Sequence, residues 1–370
     1  MPDESGNRSI PLFKVYMAPR DELLPELESV LYSGQISEGA AVATFEKSFG
    51  RFIGQENVLS FYSGTAALHT ALHLAGVQRG DEVISTPMTA EPTNLAILQS
   101  GAKPVWADID PYTGNIDPDS VALLASVRTK AIMAVHYGGI PVDLANLRKV
   151  ALNAGIPVIE DAAHALGAVY DGEMIGAHSE YIMYSLQAIK HMTTVDGGML
   201  VCQNPDDLAR GRRFRWFGMD RSAQRTELDV SEIGWKYHMN NVNATIGEIQ
   251  LRHIPTVISR HADNGNWFDE NLKGVSGLQL LRIPKRSSPS YWFYTILAER
   301  RDDLSKMLSS RGVGNSLAHK RNDRHSIFST SKRELPGLDY FYSRMLHIPC
   351  GWWVSPDDRE YIVALLKEGW

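Results

Sequence analysis

Between Asn57 and Cys202 the chain alternates short β-branched or apolar runs with longer segments of helical period, and this alternation limits the possible folds more than any other feature. "NVLSF", "DEVIST", "KPVWADI", "KAIMAVHY", "IPVIED", "EYIMYSL" and "GGMLVC" read as strands. Between them, "TAALHTALHLAG" sets Ala67, Leu68, Ala71, Leu72 and Ala75 on one helix face, and "DLANLRKVALNAG" repeats the pattern before a terminal glycine. Strands that alternate with helices are joined by crossovers, so the expectation is an α/β fold with a mainly parallel central sheet and helices on both faces.

Ahead of this core, "RDELLPELESVLYSGQISEG" and "AVATFEKSFGRFIG" predict N-terminal helices, with Gly34 and Gly54 as stops. After it, "DDLARGRRFRWFGMDR" and "NNVNATIGEIQLRHIPTVISRHADNGNWFDENLKG" predict two more. They lead into a mixed segment with "YWFYTILAE", "RDDLSKMLSSRG" and "DREYIVALLKEG". The expected division is a large α/β domain with its N-terminal helices, residues 1–254, and a smaller C-terminal α+β domain, residues 255–370. "KRNDRHSIFSTSKRELPG" is dense in charge and turn residues and reads as a surface loop.

Charge and cysteine content exclude several classes of partner. With 37 basic and 43 acidic residues the formal charge is −6, against the basic excess that a nucleic-acid surface needs. Cys202 and Cys350 are too few for a disulfide framework and lie at no metal-ligand spacing, which fits a reducing cytoplasm and no metal. The start "MPDESGNRSIPLFKVYMAP" is polar and acidic before it is apolar, the wrong order for a secretory signal. No apolar run approaches the roughly 20 residues of a membrane span. A cytoplasmic chain with neither nucleic-acid nor membrane partner is expected.

Three stretches carry chemistry. "FYSGTAALHTALHLAG" places a strand, a Ser-Gly-Thr turn and a helix in succession, so Ser63, Gly64 and Thr65 suit a phosphate at a helix N-terminus; a turn with an N-cap threonine also explains them. "IPVIED" ends a strand in Glu160 and Asp161 at the carboxyl edge where open α/β sheets bind ligands, although a carboxylate there also caps the next helix. "EYIMYSL" delivers Ser185 and then Lys190 to the same edge. An acid, a hydroxyl, a lysine and an anion-binding turn at one edge suit a phosphorylated cofactor that forms a Schiff base with lysine. Pyridoxal 5′-phosphate needs these partners: an amine for its aldehyde, a carboxylate for its pyridine nitrogen, and N–H and hydroxyl donors for its phosphate. A lysine beside its protonated ring titrates lower than in water. His136, His191 and His238 read as structural histidines, and Gly197 and Gly198 as a sharp turn out of the site.

"SGTAALHTALHLAG", "GDEVISTP", "VIEDAAHALGA", "YSLQAIKHMTTVDGGMLV", "RWFGMDR" and "IGWKYHMNNVNATIGEIQL", in this order, resemble the DegT/DnrJ/StrS family of nucleotide-sugar aminotransferases, as do "RNDRHSIF" and "IPCGWWVSPDDREYIVALLKEGW". The resemblance implies a fold-type I pyridoxal-phosphate enzyme, a homodimer with shared active sites. It gives Lys190 the covalent attachment and the proton transfer, Asp161 the pyridine nitrogen, and Gly64, Thr65 and Ser185 the phosphate. His164 is implied against the cofactor near its 3′ oxygen, and Lys236 or His238 is implied to reach the phosphate of the neighbouring subunit. The implied reaction moves an amino group from glutamate to a nucleotide-linked keto-sugar, with a TDP-4-keto-6-deoxyhexose as the expected acceptor.

Two departures bear on this. Many relatives carry an aromatic residue after the "TP" strand to stack on the cofactor ring, where "TPMTAEPTN" has Ala90; Met88 or His164 then covers the ring, unless the correspondence slips by one residue. Some sugar dehydratases of the family have histidine in place of the lysine, so Lys190 favours amino transfer over dehydration. A non-catalytic sugar-nucleotide-binding regulator is the remaining alternative, and the Asp161 and Lys190 pair argues against it.

Overall fold

One sheet takes all seven expected strands. In this computed structural model, which describes residues 8–370 apart from 222 and 225, they are β1 (Val58–Phe61), β2 (Glu82–Ser85), β3 (Lys103–Trp106), β4 (Thr129–Val135), β5 (Val158–Asp161) and, after a short ribbon of β6 (Val169–Tyr170) and β7 (Glu173–Met174), β8 (Tyr181–Ser185) and β9 (Gly198–Cys202). The polar start Met1–Asn7, read above against a secretory signal, lies outside the described residues. Strand order is β1-β9-β8-β5-β4-β2-β3. Every pairing is parallel except those of β9 with β8 and β1. The connections explain the exception: a helical crossover returns a strand parallel, whereas β8 and β9 are joined by the loop 186–197 alone.

Eight helices flank the large sheet: α1 (Arg20–Tyr32), α2 (Ala40–Ile53), α3 (Gly64–Leu74), α4 (Glu91–Gln99), the one-turn α5 (Pro118–Ala122), α6 (Leu144–Ala154), α7 (Pro205–Phe214) and α8 (Asn241–Asn271). Gly54, at φ 73°, ends α2, as expected for a left-handed C-cap. Both faces of the sheet are buried, and alternation sorts the strand residues between them. Ile132, Val158 and Ile182 belong to one core with Phe45 and Phe49 of α2. Their neighbours Met133, Ile159 and Met183 belong to the other, with Ala67, Leu68 and Leu72 of α3. This period of two decides the site. Asp161 follows Ile159 onto the α3 side, and Ser185 follows Met183, while Glu160 points the other way.

The second part of the chain adds the antiparallel sheet β10 (Leu278–Leu280), β12 (Tyr294–Ala298) and β13 (Met345–Ile348), while β11 (Ser287–Ser288) extends the β6–β7 ribbon. Helices α9 (Arg301–Ser310), α10 (Pro336–Arg344) and α11 (Pro356–Glu368) complete it. The expected boundary between residues 254 and 255 falls inside α8, which continues through Pro255. The proline forfeits one backbone bond, but the helix is anchored on both sides of it: Leu251, Ile254 and Val257 lie in the α2-side core, and Phe268 and Leu272 flank the C-terminal sheet.

Two expectations need correction. The helix of "DDLARGRRFRWFGMDR" stops at Phe214, where Trp216 bridges to Lys236 and Tyr237 N–H bonds to Arg215 C=O, so the chain turns there against the segment that pairs with the end of β1. The surface loop expected of "KRNDRHSIFSTSKRELPG" is exposed at Lys320, Arg324, Ile327 and residues 332–334, but several of its side chains are docked. Arg321 is buried between Asp323 and Asp339, Asn322 is buried against the 87–94 segment, and Phe328 packs on Trp106. Among the described residues no helix is long and apolar enough to cross a membrane, and no cluster of His, Cys, Asp or Glu could hold a metal ion.

One buried ion cluster fastens α2 to the sheet edge. Glu46 Oε1 accepts from Ser60 N–H (2.8 Å), Ser60 Oγ (2.8 Å) and Arg215 Nη1 (2.6 Å), and Arg215 Nη2 donates to Glu38 (2.7 Å). Arg215→Met strands a buried carboxylate and should cost roughly 3–5 kcal/mol of unfolding free energy, read by urea titration. The double change with Glu46→Gln should recover most of it. An unchanged midpoint in the single variant would show that the pair contributes nothing.

Candidate active site

The N-terminus of α3 sits directly on the end of the β8–β9 pair. Ser63 is the N-cap, not Thr65: it is extended at φ −156°, and its Oγ accepts from Ala66 N–H at 3.1 Å. The first-turn N–H groups of Gly64 and Thr65 precede that bond and have no intrahelical partner, at the positive end of the helix. Close approach makes this possible. A Cβ on Gly198 would lie 2.6 Å from Ser63 O and 2.7 Å from Gly64 N, and one on Gly64 would lie 3.4 Å from Ser185 Cβ. The glycine expected to make a sharp turn therefore does something else: Gly198 lies in β9, paired with Ser185, and its missing side chain lets α3 settle beside that serine.

Asp161 ends β5 on the same face. It is 3 % exposed, and its two oxygens are oriented separately: Thr93 Oγ1 donates to Oδ2 at 2.7 Å, and Ala163 N–H to Oδ1 at 3.0 Å. Burial raises its pKa above the usual carboxylate value, and the two hydrogen bonds, Lys190 and His136 oppose the shift. Such a carboxylate gains from a cationic partner at its free lone pairs. Thr93 was not singled out in the sequence. The signal was Thr89 and Thr93, four apart across the start of α4 and hydrogen-bonded to each other at 2.8 Å.

Lys190 comes off β8 on a loop closed by Leu186 N–H to Gly197 C=O (2.9 Å) and Thr194 N–H to Leu186 C=O (3.0 Å). From α8, Asn243 Nδ2 donates to the carbonyls of Thr194 and Asp196, both at 2.8 Å. The lysine as a whole is half-buried. Burial brings its pKa down from 10.5 to about 7, with Asp161 the opposing charge. Near neutral pH a large fraction is free amine, the form that attacks an aldehyde.

Around these groups stand aromatic rings. His164 stacks on Trp292 at 4.0 Å between centroids and on His319 at 5.5 Å, with interplanar angles of 20° and 5°. Gly138 N–H donates to His164 Nδ1 at 3.4 Å, which leaves the proton on Nε2. Burial, then the Lys190 charge, holds His164 well below the usual histidine pKa, so it is neutral. Met88, one of two residues expected to cover a cofactor ring, is fully buried in the cluster that includes Trp292 and Tyr137, and Ala90 is the N-cap of α4. Trp292 and His319 come from the C-terminal part, where no local pattern marks them.

The remaining candidates divide. Glu160 faces the opposite core and bonds His136 at 2.8 Å; His136 Nδ1 accepts from Val142 N–H, so Nε2 is the donor. His191 is likewise structural, bonded to Ser290 C=O at 3.0 Å. His238 is buried beside Trp216, with ring centroids 4.5 Å apart, whereas Lys236 is exposed on the segment that runs along β1. Two N–H donors and a hydroxyl at a helix N-terminus, a buried carboxylate and an amine near neutrality fit pyridoxal 5′-phosphate.

Known proteins share this chain's sequence pattern and fold. The DegT/DnrJ/EryC1/StrS aminotransferase family matches residues 18–367. The crystal structure of the sugar aminotransferase CalS13 from Micromonospora echinospora superposes with a TM-score of 0.95 at 38% identity, covering 98% of this chain and 100% of that one. AtS13 from Actinomadura melliaura gives 0.95 at 38%, covering 99% and 100%. The spore coat polysaccharide biosynthesis protein SpsC of Bacillus subtilis is 29% identical over 94% of each chain. The chain therefore belongs to the DegT/DnrJ/EryC1/StrS family and is a fold-type I, pyridoxal-phosphate-dependent sugar aminotransferase.

Proposed function

We propose that this enzyme moves an amino group from glutamate to a nucleotide-linked keto-deoxysugar, a TDP-4-keto-6-deoxyhexose being the acceptor class, in the cytoplasmic assembly of deoxyamino sugars. The observation that carries the reading is Lys190, an amine held near neutrality at the sheet edge where Asp161 ends β5. Likeness to CalS13, a sugar aminotransferase by name, supports a sugar acceptor. Lysine at position 190, where the family's dehydratases carry histidine, supports amino transfer over dehydration.

In this reading Gly64 N–H, Thr65 and Ser185 would hold the cofactor phosphate, and Asp161, oriented by Thr93 and Ala163, would pair with the ring nitrogen. His164 lies against the ring. Bound there, pyridoxal phosphate supplies an aldehyde for an amine and a protonated ring that takes up an electron pair. Lys190 Nζ would be the nucleophile, and as a free amine it would take up and return the proton that amino transfer moves. A protonated nitrogen there would keep Asp161 ionised and offset the burial that raises its pKa.

We also place the protein as a homodimer. Tyr62, Phe217, Ile233 and Trp235 are 46 %, 42 %, 81 % and 40 % exposed and surround the segment carrying Lys236. An apolar patch of this kind marks an interaction surface, and Lys236 is the residue on it free to reach a second copy's phosphate site.

The loaded protein should absorb in the violet and bleach when glutamate is added; absorbance that persists would contradict glutamate as donor. Lys190→Ala should cut turnover by roughly 100-fold or more. A panel of keto-sugar nucleotides, scored by product mass, identifies the acceptor. Gly198→Ala drives a methyl into the backbone of Ser63 and Gly64. Equilibrium dialysis should give about tenfold weaker cofactor binding with the fold retained, and unchanged affinity would contradict the phosphate assignment.

A further inference from the structure

An aromatic ring in contact with the Lys190 amine comes from the C-terminal part of the chain. Trp292 follows Tyr291, a non-glycine residue at φ 44°, a backbone conformation that persists only when its surroundings impose it. Those surroundings are the turn after β4. Trp292 N–H bonds to Gly138 C=O at 3.0 Å and Ser290 N–H to Gly139 C=O at 3.1 Å. A Cβ on Gly139 would meet both His164 O and Tyr291 N at 2.8 Å, so the two segments lie in backbone contact. Trp292 is 2 % exposed. From this fixed position its indole N–H donates to the carbonyl of Ile189 at 2.8 Å, and Lys190 Nζ lies 3.6 Å from the ring centroid.

We propose that Trp292 is a positioning residue for Lys190: its N–H pins the carbonyl just before the lysine, and its ring face receives the lysine ammonium. The inference rests on Lys190 being the cofactor lysine and concerns how its amine is held between covalent engagements. A lysine that takes up a proton and gives it up again within each half-reaction needs its cation stabilised, but weakly. A carboxylate in direct contact would hold the proton firmly. A ring quadrupole attracts the cation less strongly and gives it up more easily.

The other ionisable groups facing Nζ are Asp161 from β5, His164 from the turn after it, His191 next in sequence and His319 from the C-terminal loop. The three histidines are pushed down by burial, His319 to about 4, and are neutral at pH 7. Asp161 is the opposing charge, and the ring of Trp292 supplies the remaining attraction.

The test follows Lys190 acetylation in the full chain freed of cofactor, over a pH series, by peptide mass spectrometry. Wild type should give a midpoint near 7. Trp292→Phe, with a weaker quadrupole, should lower the midpoint by a few tenths, and Trp292→Leu by roughly half a unit to one and a half units. Circular dichroism checks the fold of each. Equal midpoints in wild type and every variant that folds overturn the proposal, and if only the phenylalanine variant folds, its midpoint decides. Both variants lose the bond to Ile189, so with cofactor kcat should fall more than the KM for the sugar rises. A wild-type chain with the expected midpoint that binds no cofactor would sink the functional reading and leave the pairing intact.

Discussion

The parallel pairing of β5 with β8 is the constraint on which the site depends. With Asp161 opposite Met183, the carboxyl ends of the two strands fall at one level. The two-residue period then puts Asp161 and Ser185 on the α3 face together. A slip of one residue in β5 would exchange Asp161 for Glu160, whose carboxylate is committed to His136 on the opposite core, and a slip in β8 would turn Ser185 away from α3. The β8–β9 hairpin adds the next requirement, because Gly198 opposite Ser185 is what lets the α3 N-terminus reach the serine. The buried acid and the meeting of Ser185 with the α3 N-terminus are thus outcomes of register, and the loop 186–197 then brings Lys190 to the same edge.

Burial does the electrostatic work. An enclosed ammonium without a close counter-ion loses hydration that its surroundings only partly replace, so the amine form of Lys190 gains near neutral pH. The same burial raises Asp161 and holds His164, His191 and His319 neutral. Acid and lysine are each destabilised as ions when considered alone, and a bound cation at the acid and a covalent partner at the lysine relieve both. That mutual strain is what a cofactor with a basic nitrogen and an aldehyde would release.

Much of this was legible in the sequence, and the limits have a physical pattern. The seven strands, Asp161 at the end of one and Lys190 after another were readable because burial of parallel strands and helix starts leave local marks. Features created by long-range contact left none. Thr93 reaches Asp161 only across the sheet edge, and Trp292 meets Lys190 only because the turn at Gly138 and Gly139 holds its backbone. Gly198 was read as part of a sharp turn because a glycine needed for close packing and one needed for a turn look alike in one dimension. The charges of "KRNDRHSIF" suggested solvent until Asp339 and the 87–94 segment supplied partners. Similarly, helix α7 ended at Phe214 because pairing with the 235–237 segment outcompeted its helical period.

The central claim is that Lys190 is the one amine that joins the cofactor. Incubating the purified chain with pyridoxal phosphate, reducing with borohydride and mapping the peptides tests it directly. The account predicts a single pyridoxyl group, on the peptide containing Lys190. Labelling of another lysine with Lys190 unmodified, or no label at all, would contradict it.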